Sequence, residues 1–396
     1  MRYLAYLMMS LSLASCSITS STPVLNDVLA SKGDTRPFET PLPVNTAHKK
    51  LAIGYMTTVG VKEDGTVWSW GSDYDGSLGN GRKPTQQYIP KPIEGMTDFI
   101  EVAGTGSHFL ALRKDGTVWA WGSNEYGQLG YATPKNYSAT PQQVVGLKDI
   151  VSVATGSEHS LALDKQGTVY FSGQSKLWKI NVDKTKEQLN TIGFIPITQH
   201  KNAIKIITNR GANAILMKAD GELIACCDGT VKEFPKNIID VAMSLGASYF
   251  LLSNGLVLAE GNNRAGGELG QGDFTHHADV VQVKNIGRIK NITANGFGGV
   301  ALDEKGRIWQ WGGNVRYPLI AGVQSNYEPL PVHIKTFANA LTVQSGSANS
   351  VLLDDGQVYF WGREIGGGRG TGKARGHEQS SANDWSVPEK SLWTWK

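Results

Sequence analysis

One short phrase, returning at a near-fixed interval, constrains this chain more than anything else in it. "DGTVWSWGS" at Asp64 comes back as "DGTVWAWGS" at Asp115, "QGTVYFSGQ" at Gln166, "DGELIACCD" at Asp220, "NGLVLAEGN" at Asn254, "KGRIWQWGG" at Lys305 and "DGQVYFWGR" at Asp355. The turn glycines of these seven copies are Gly65, Gly116, Gly167, Gly221, Gly255, Gly306 and Gly356, spaced by 51, 51, 54, 34, 51 and 50 residues. In each copy an apolar run such as "FLALR" (109–113) meets an Asp-Gly turn and leaves as "TVWAW". Glycine supplies the positive φ that such a turn needs, so each unit contains a β-hairpin. A further short strand lies upstream, as in "IEVAGTGSH" (100–108), and another downstream, as in "TPQQVV" (140–145), which makes four strands per period. Four-stranded units of about fifty residues are propeller blades, and seven of them close a ring. A solenoid would instead cap its ends with atypical polar repeats, and none is seen. The sequence therefore predicts an all-β, seven-bladed β-propeller of four-stranded blades over residues 46–396.

Composition agrees with that reading. Glycine makes up 47 of 396 residues and tryptophan 11, with only 18% charged residues, which suits many tight turns around an aromatic interior. Thirty-eight basic against thirty-five acidic side chains leave +3, with no cationic run long enough to track phosphates, so nucleic acid is not expected as a partner. The pairs Lys49-Lys50 and Arg82-Lys83 read as solvated surface.

The first residues, "MRYLAYLMMSLSLASC", carry one arginine, an apolar run too short to span a bilayer, and small residues before Cys16. Residues 1–15 are thus expected to be a signal peptide. "LASC" (13–16) resembles the lipobox of bacterial lipoproteins, which implies a lipid anchor on Cys16. Ser17, rather than Asp, after the cysteine implies by the same resemblance the periplasmic face of the outer membrane. Residues 16–45, rich in Ser, Thr and Pro without a period, read as a flexible tether.

The units "GSHFLALRKDGTVWAWGSNEYGQLG" (106–130) and "GSEHSLALDKQGTVYFSG" (156–173) resemble the repeat of the regulator of chromosome condensation family, whose members form seven-bladed propellers. The resemblance rests on the glycine-rich stretch ending in His, the Asp-Gly turn, the Trp-Gly exit and the Gly-Gln-Leu-Gly turn. Copies three and four depart from it: Ser172 stands before Gly173, and "ACCDG" (225–229) replaces the exit. By this resemblance the chain would be a protein-binding ring. Relatives include exchange factors for small GTPases and a secreted β-lactamase inhibitor that grips its enzyme through the ring face.

Several tempting sites fail on their chemistry. Asp73, Asp75 and Gly76 imitate a calcium loop, but counting from Asp73 puts Pro84 where a bidentate Glu is required. "GGRGTGKA" (367–374) lacks the hydroxyl that a phosphate-binding loop needs, since Ala374 follows Lys373, and it falls at the Gly-Gln-Leu-Gly position of the seventh copy. His108 and His159 occupy a repeated position and read as packed histidines. His276 and His277, beside Asp273 and Asp279, match no standard metal spacing. Cys226 and Cys227 are strand neighbours facing opposite sides, two small hydrophobes.

Trp68, Trp70, Trp119, Trp121, Trp309, Trp311 and Trp361 recur in register and read as packing between blades. The aromatic and arginine residues outside that register are the candidate binding residues: Tyr74, Tyr88, Tyr126, Tyr131, Tyr137, Trp178, Arg264, Arg316 and Tyr317. The sequence-based expectation is a monomeric, lipid-anchored envelope module without cofactor, metal or catalytic residue, which binds another protein through loops on one ring face. One alternative is a glycan-binding or enzymatic propeller with its site at the central opening, marked by converging Asp, Glu or His. A second is nucleotide-exchange activity. Both "PLPV" (41–44) and "SVPEKSLW" (386–393) resemble a fourth strand, so one end is expected to complete the sheet where first and last copies meet.

Overall fold

The computed structural model describes residues 49–396 except 83, 175–192, 198–200, 210–213, 219–221, 226–236, 265, 278, 297, 314–326, 347, 363–367 and 373–386. Cys16, Cys226, Cys227, Trp178, Arg316 and Tyr317 lie outside the described residues.

The first blade sets the pattern. β1 (Leu51–Ile53), β2 (Thr57–Val61), β3 (Val67–Ser72) and β4 (Gln86–Pro92) pair in that order, each antiparallel to its neighbour. Six sheets follow over 99–143, 150–196, 203–225, 238–282, 289–334 and 340–394; all but the fourth show four strands, and the fourth shows three among the described residues. Seven blades follow the seven turns read from the sequence. The 34-residue copy is the step from blade four to blade five, where residues 226–236 lie outside the described region. The repeat as written in the sequence is offset from the blade, since an Asp-Gly turn joins the second and third strands of one sheet.

Strand order fixes the two rims. The first strand of every blade lines a central opening, and connections alternate between its ends. One rim carries the Asp-Gly turns and the links between blades. The other carries the short loop between first and second strands and the longer loop between third and fourth. Lys49 precedes β1, and Lys396 packs on Gly356 with its amine on the Asp354 carbonyl, so both lie on the Asp-Gly rim. The long-loop rim is free of both.

The core lies between blades. Trp70, Trp121, Trp311 and Trp361 are all at most 1% exposed and stand between neighbouring sheets. Trp68, Trp119 and Trp309 are half-buried and pack against the edges of the same interblade clusters. They stand two residues from the buried set along the strand and so share its face of the sheet, nearer the Asp-Gly rim. Lys62 caps Trp68 at 5.2 Å and Arg307 caps Trp309 at 5.4 Å.

Three of the buried tryptophans also tie one blade to the loop of the blade before it, while Trp361 Nε1 donates to Gln310 Oε1 in the third strand of blade six (3.0 Å). Trp121 Nε1 donates to the Ser77 carbonyl (2.9 Å) and Trp311 Nε1 to the Glu268 carbonyl (2.8 Å). Trp70 Nε1 makes the same bond to the Gly368 carbonyl (2.8 Å), across the junction of blade seven with blade one. The ring is therefore shut, and its last joint is built like the others. The backbone agrees: Gly81 N donates to Ala139 O and Gly272 N to Pro329 O, and Gly372 N donates to Tyr88 O across the same junction.

Closure comes from packing rather than from a sheet shared by both chain ends. The C-terminal segment supplies the outer strand of blade seven (Glu389–Thr394, paired with Gln357–Trp361), as expected for one end. Trp395 then continues where other blades have a link to the next one. Its N–H donates to Gly356 O, as Phe99 N–H does to Gly65 O, and its carbonyl accepts from Glu63 N of blade one. Residues 41–44 lie outside the described region.

Outer strands are unpaired edges and need protection from other chains. Pro90 and Pro92, Pro141, Pro196, and Pro329 with Pro331 sit in the outer strands of blades one, two, three and six, removing edge N–H donors.

Candidate functional site

The long loops rest on a recurring clamp. Two residues after the exit glycine of the third strand (Gly71, Gly122 or Gly261) comes Asp73, Asn124 or Asn263, and its side-chain oxygen accepts from Leu78 N (3.0 Å), Leu129 N (2.9 Å) or Leu269 N (2.8 Å). Those leucines belong to the Gly-x-Leu-Gly turn and are fully buried. The second glycine of that turn needs a left-handed φ and has the next blade's indole against it, with Trp121 on Gly79, Trp311 on Gly270 and Trp70 on Gly370. Residues 368–370, the described part of "GGRG", therefore belong to the blade turn, and Asp73 is a loop clamp. Among the described residues there is no group of three or more His, Cys, Asp or Glu side chains placed to hold a metal ion.

Copy three shows how the clamp survives loss of its tryptophan. Ser172 Oγ donates to Gly127 O (2.7 Å) and Ser160 Oγ to Gln128 O (2.7 Å), so two hydroxyls reach the loop carbonyls that an indole would otherwise approach. His108 Nε2 lies 2.9 Å from Ser160 Oγ, and His159 stacks on Phe171 with ring centroids 6.0 Å apart. Burial pushes the His108 imidazole down to about 3, helped by His159 nearby, and pushes His159 down to about 4. Both are neutral, packed residues with folded pKa values below the ordinary value of about 6.5. Their contribution to stability is present above that value and is lost as pH falls from there toward about 4. Each is expected to remove about 1.4 kcal/mol per pH unit in that window. Urea midpoints measured from pH 7.5 to 5 check this, and His108→Gln should flatten the slope by about half.

The candidate binding residues that are described all belong to the long loops or the adjoining outer strands, but they differ in availability. Tyr74 is 51% exposed and packs edge-on against Tyr55, 37% exposed, in the neighbouring short loop, with centroids 6.2 Å apart. Tyr126 is half-buried beside the Gln128 clamp, Tyr88 is half-buried with its hydroxyl on Gln86, and Arg264 is exposed. Tyr131 is drawn inward: its hydroxyl donates to Ala120 O at 2.7 Å, its ring joins the core between blades two and three, and burial pushes its phenol up to about 12. Its role is packing, a correction to its place among the binding residues.

Of the cations read as solvated surface, Lys49 is reassigned, while Arg82 keeps its exposure and gains partners. Lys49 reaches Glu101 (3.0 Å) and Ser152 Oγ (2.8 Å) at the central opening. Arg82 pairs through Nε with the buried side chain of Asp73 (3.1 Å) and lies over Tyr137 at 5.1 Å, with the Lys135 amine 5.7 Å from the same ring. Hydrogen bonds from Arg82 and Lys135 hold the Tyr137 phenol below its usual range. A second aromatic pair, Phe274 (48% exposed) with Tyr327 (40% exposed), stands on the same rim at the joint of blades five and six, with centroids 5.9 Å apart. Sequence reasoning missed Tyr55, Phe274 and Tyr327, although each sits one step from a repeat landmark.

The central opening encloses a cavity of about 240 Å³. Glu101, Ser152, Lys205, Asp240 and Asn291, from the first strands of blades two to six, form a polar belt in it, and belt members bridge to the next blade. Glu101 accepts from Val153 N (2.9 Å) and Asn291 from Val343 N (3.0 Å), while Lys205 meets Asp240 at 2.5 Å. The acids are thus spent on lysines and neighbouring amides rather than gathered at one point. His277 likewise pairs with Asp273 at 3.2 Å in the fifth long loop.

These features define a closed seven-bladed β-propeller with exposed aromatic pairs on its long-loop rim. The chain carries regulator of chromosome condensation (RCC1) repeats: the model of that repeat matches residues 64–112 and 115–163, and a second model of it matches 99–128. The ultraviolet-B receptor UVR8 of Arabidopsis thaliana is 25% identical over 86% of this chain and 71% of its own length. The probable E3 ubiquitin-protein ligase HERC6 of Homo sapiens is 29% identical over 45% of this chain, and human HERC4 is 31% identical over 36%. The chain spans only 18% and 14% of those two ligases. Among solved structures, Prp20p from Saccharomyces cerevisiae, described with its binding properties to Gsp1p and histones, has a TM-score of 0.63 at 23% identity, covering 75% of this chain and 80% of that one. Yeast RCC1 (Prp20) bound to Kap60 gives 0.64 at 22%, covering 76% of this chain and 78% of that one. These likenesses show the fold.

Proposed function

We propose that this protein is a binding module of the bacterial cell envelope, lipid-anchored through Cys16 on the periplasmic face of the outer membrane, that holds a folded protein partner on its long-loop rim. The observation that carries the reading is the pair of exposed aromatic clusters, Tyr55–Tyr74 at blade one and Phe274–Tyr327 at blades five and six, standing well apart on one rim. A partner touching both needs a broad surface of its own, which a folded protein has. The tether would enter at Lys49 on the opposite rim and leave the loops free. A closed ring loses little conformational entropy when its loops dock, which favours tight binding by rigid surfaces.

The alternative of a glycan or enzymatic site at the central opening is disfavoured by the lysine partners of Glu101 and Asp240. Exchange activity would require a small GTPase, which the proposed envelope address does not supply.

The test is affinity capture from envelope fractions with the intact lipoprotein, repeated with Tyr74→Ala and Tyr126→Ala. Loss of a specific partner on Tyr74→Ala, by about 2 kcal/mol or more of binding energy, is expected for an anchor residue. Undiminished capture by both variants would contradict the reading. Intact mass at Cys16 and fractionation decide the address.

A further inference from the structure

The cluster at the joint of blades one and two has a chemistry of its own. Arg82 is a non-glycine residue at φ +68, a conformation worth a look wherever it occurs. Three contacts hold it there: its N–H donates to Asn80 Oδ1 at 2.9 Å, its Nε pairs with Asp73 at 3.1 Å, and its guanidinium lies 5.1 Å over the Tyr137 ring. Lys135 approaches the same residue from its own loop, with the amine 3.4 Å from the Tyr137 hydroxyl. The Asp73 side chain is fully buried whereas Arg82 is 40% exposed, so the carboxylate orients the guanidinium from within while solvent meets the cation.

Resting on the reading of this rim as a protein-binding surface, we propose that Arg82, Lys135 and Tyr137 form the receptor for an acidic segment of the partner, a run bearing Asp or Glu carboxylates. Charge complementarity carries the proposal: two cations converge on one exposed hydroxyl, and a guanidinium already fixed in place gives up little rotamer freedom when it takes a carboxylate. A sugar is a poor fit, because stacking needs a bare aromatic face and the Tyr137 ring is already occupied by Arg82 and Lys135. The neighbouring Tyr55–Tyr74 pair offers apolar surface beside the charges, so the segment would carry an apolar residue close to its acids.

The test uses the full-length chain and a fluorescent oligoglutamate peptide as probe, read by anisotropy at low salt. Binding is expected to weaken about tenfold in the double variant Arg82→Gln, Lys135→Gln, and to stay within about twofold in Lys165→Gln, which removes an exposed cation from the opposite rim. An oligoglutamine peptide should not bind. Equal binding to wild type and double variant, or preference for a sulfated oligosaccharide over oligoglutamate, would overturn the proposal. An unchanged thermal midpoint shows that the variants fold. Envelope capture separates this inference from the one beneath it: if Tyr74→Ala abolishes capture while the double variant captures normally, the acidic receptor fails and the binding rim stands. If neither variant alters capture, both fail.

Discussion

Trp70→Ala is expected to cost about 3–5 kcal/mol of folding stability, as removal of a fully buried tryptophan generally does. The indole is fully buried, packs against Trp393 with centroids 5.6 Å apart and against Phe360 at 6.4 Å, and donates to Gly368 O. What makes the experiment informative is its companion. Trp121 holds the equivalent place between blades one and two, stacked on Phe109 at 5.7 Å and bonded to Ser77 O. In a closed ring the joint between last and first blades is one joint among seven, so Trp70→Ala and Trp121→Ala should agree within about 1 kcal/mol. Chemical denaturation of both variants checks it. In an open stack Trp70 would sit on an end face, and its removal would cost far less than removal of Trp121.

Arg369→Ala is expected to destabilise by about 3–5 kcal/mol, the usual result of breaking a buried ion pair from one side. Arg369 stands where the other described turns have Leu78, Leu129 and Leu269; it is 1% exposed and reaches Glu389 at 3.1 Å and the Gly362 carbonyl. Because Glu389 lies in the outer strand of blade seven, this pair fastens the last long loop to the C-terminal strand. Truncation would leave both a cavity and a carboxylate without its guanidinium. Arg369→Leu restores the side chain used by the other turns. Its cost should be within about 1 kcal/mol or favourable, since well-packed apolar residues often replace buried ion pairs without loss. Thermal melts of the two variants decide between a packing role and an electrostatic one: if Leu is as harmful as Ala, the charge itself is required.

Much of this architecture was legible because it is written locally and repeated. The Asp-Gly turns, the alternation around Val118-Trp119-Ala120-Trp121 and the Gly-x-Leu-Gly turns each depend on neighbours within a few residues, and their shared period counted the blades. Blade seven's "GGRG" could be aligned as a turn for the same reason. What stayed hidden are pairings between blades, where residues some fifty positions apart meet only after the ring forms. Lys49 finds Glu101 and Arg82 finds Tyr137 in this way, so neither partner could be read from the sequence, and Lys49 was misread as free surface. Tyr131 and Tyr126 look alike as loop tyrosines, and only the carbonyl of Ala120 within reach distinguishes the packed one. The packing of both tryptophans of an exit was available from their two-residue spacing, which puts them on one face of the strand. The use of Ser160 and Ser172 in place of an indole was not, because it takes two side chains on different strands to replace one.

The closed ring is tested most directly by native-state hydrogen exchange at backbone amides that cross from one blade to the next. Gly81 N and Gly272 N donate across ordinary joints, and Gly372 N and Glu63 N donate across the joint between blades seven and one. A shut ring opens such bonds with comparable free energies, so protection of Gly372 and Glu63 should match that of Gly81 and Gly272 within about tenfold. Rapid exchange at Gly372 and Glu63, with protection kept at the other two, would mean that the last blade does not hold the first.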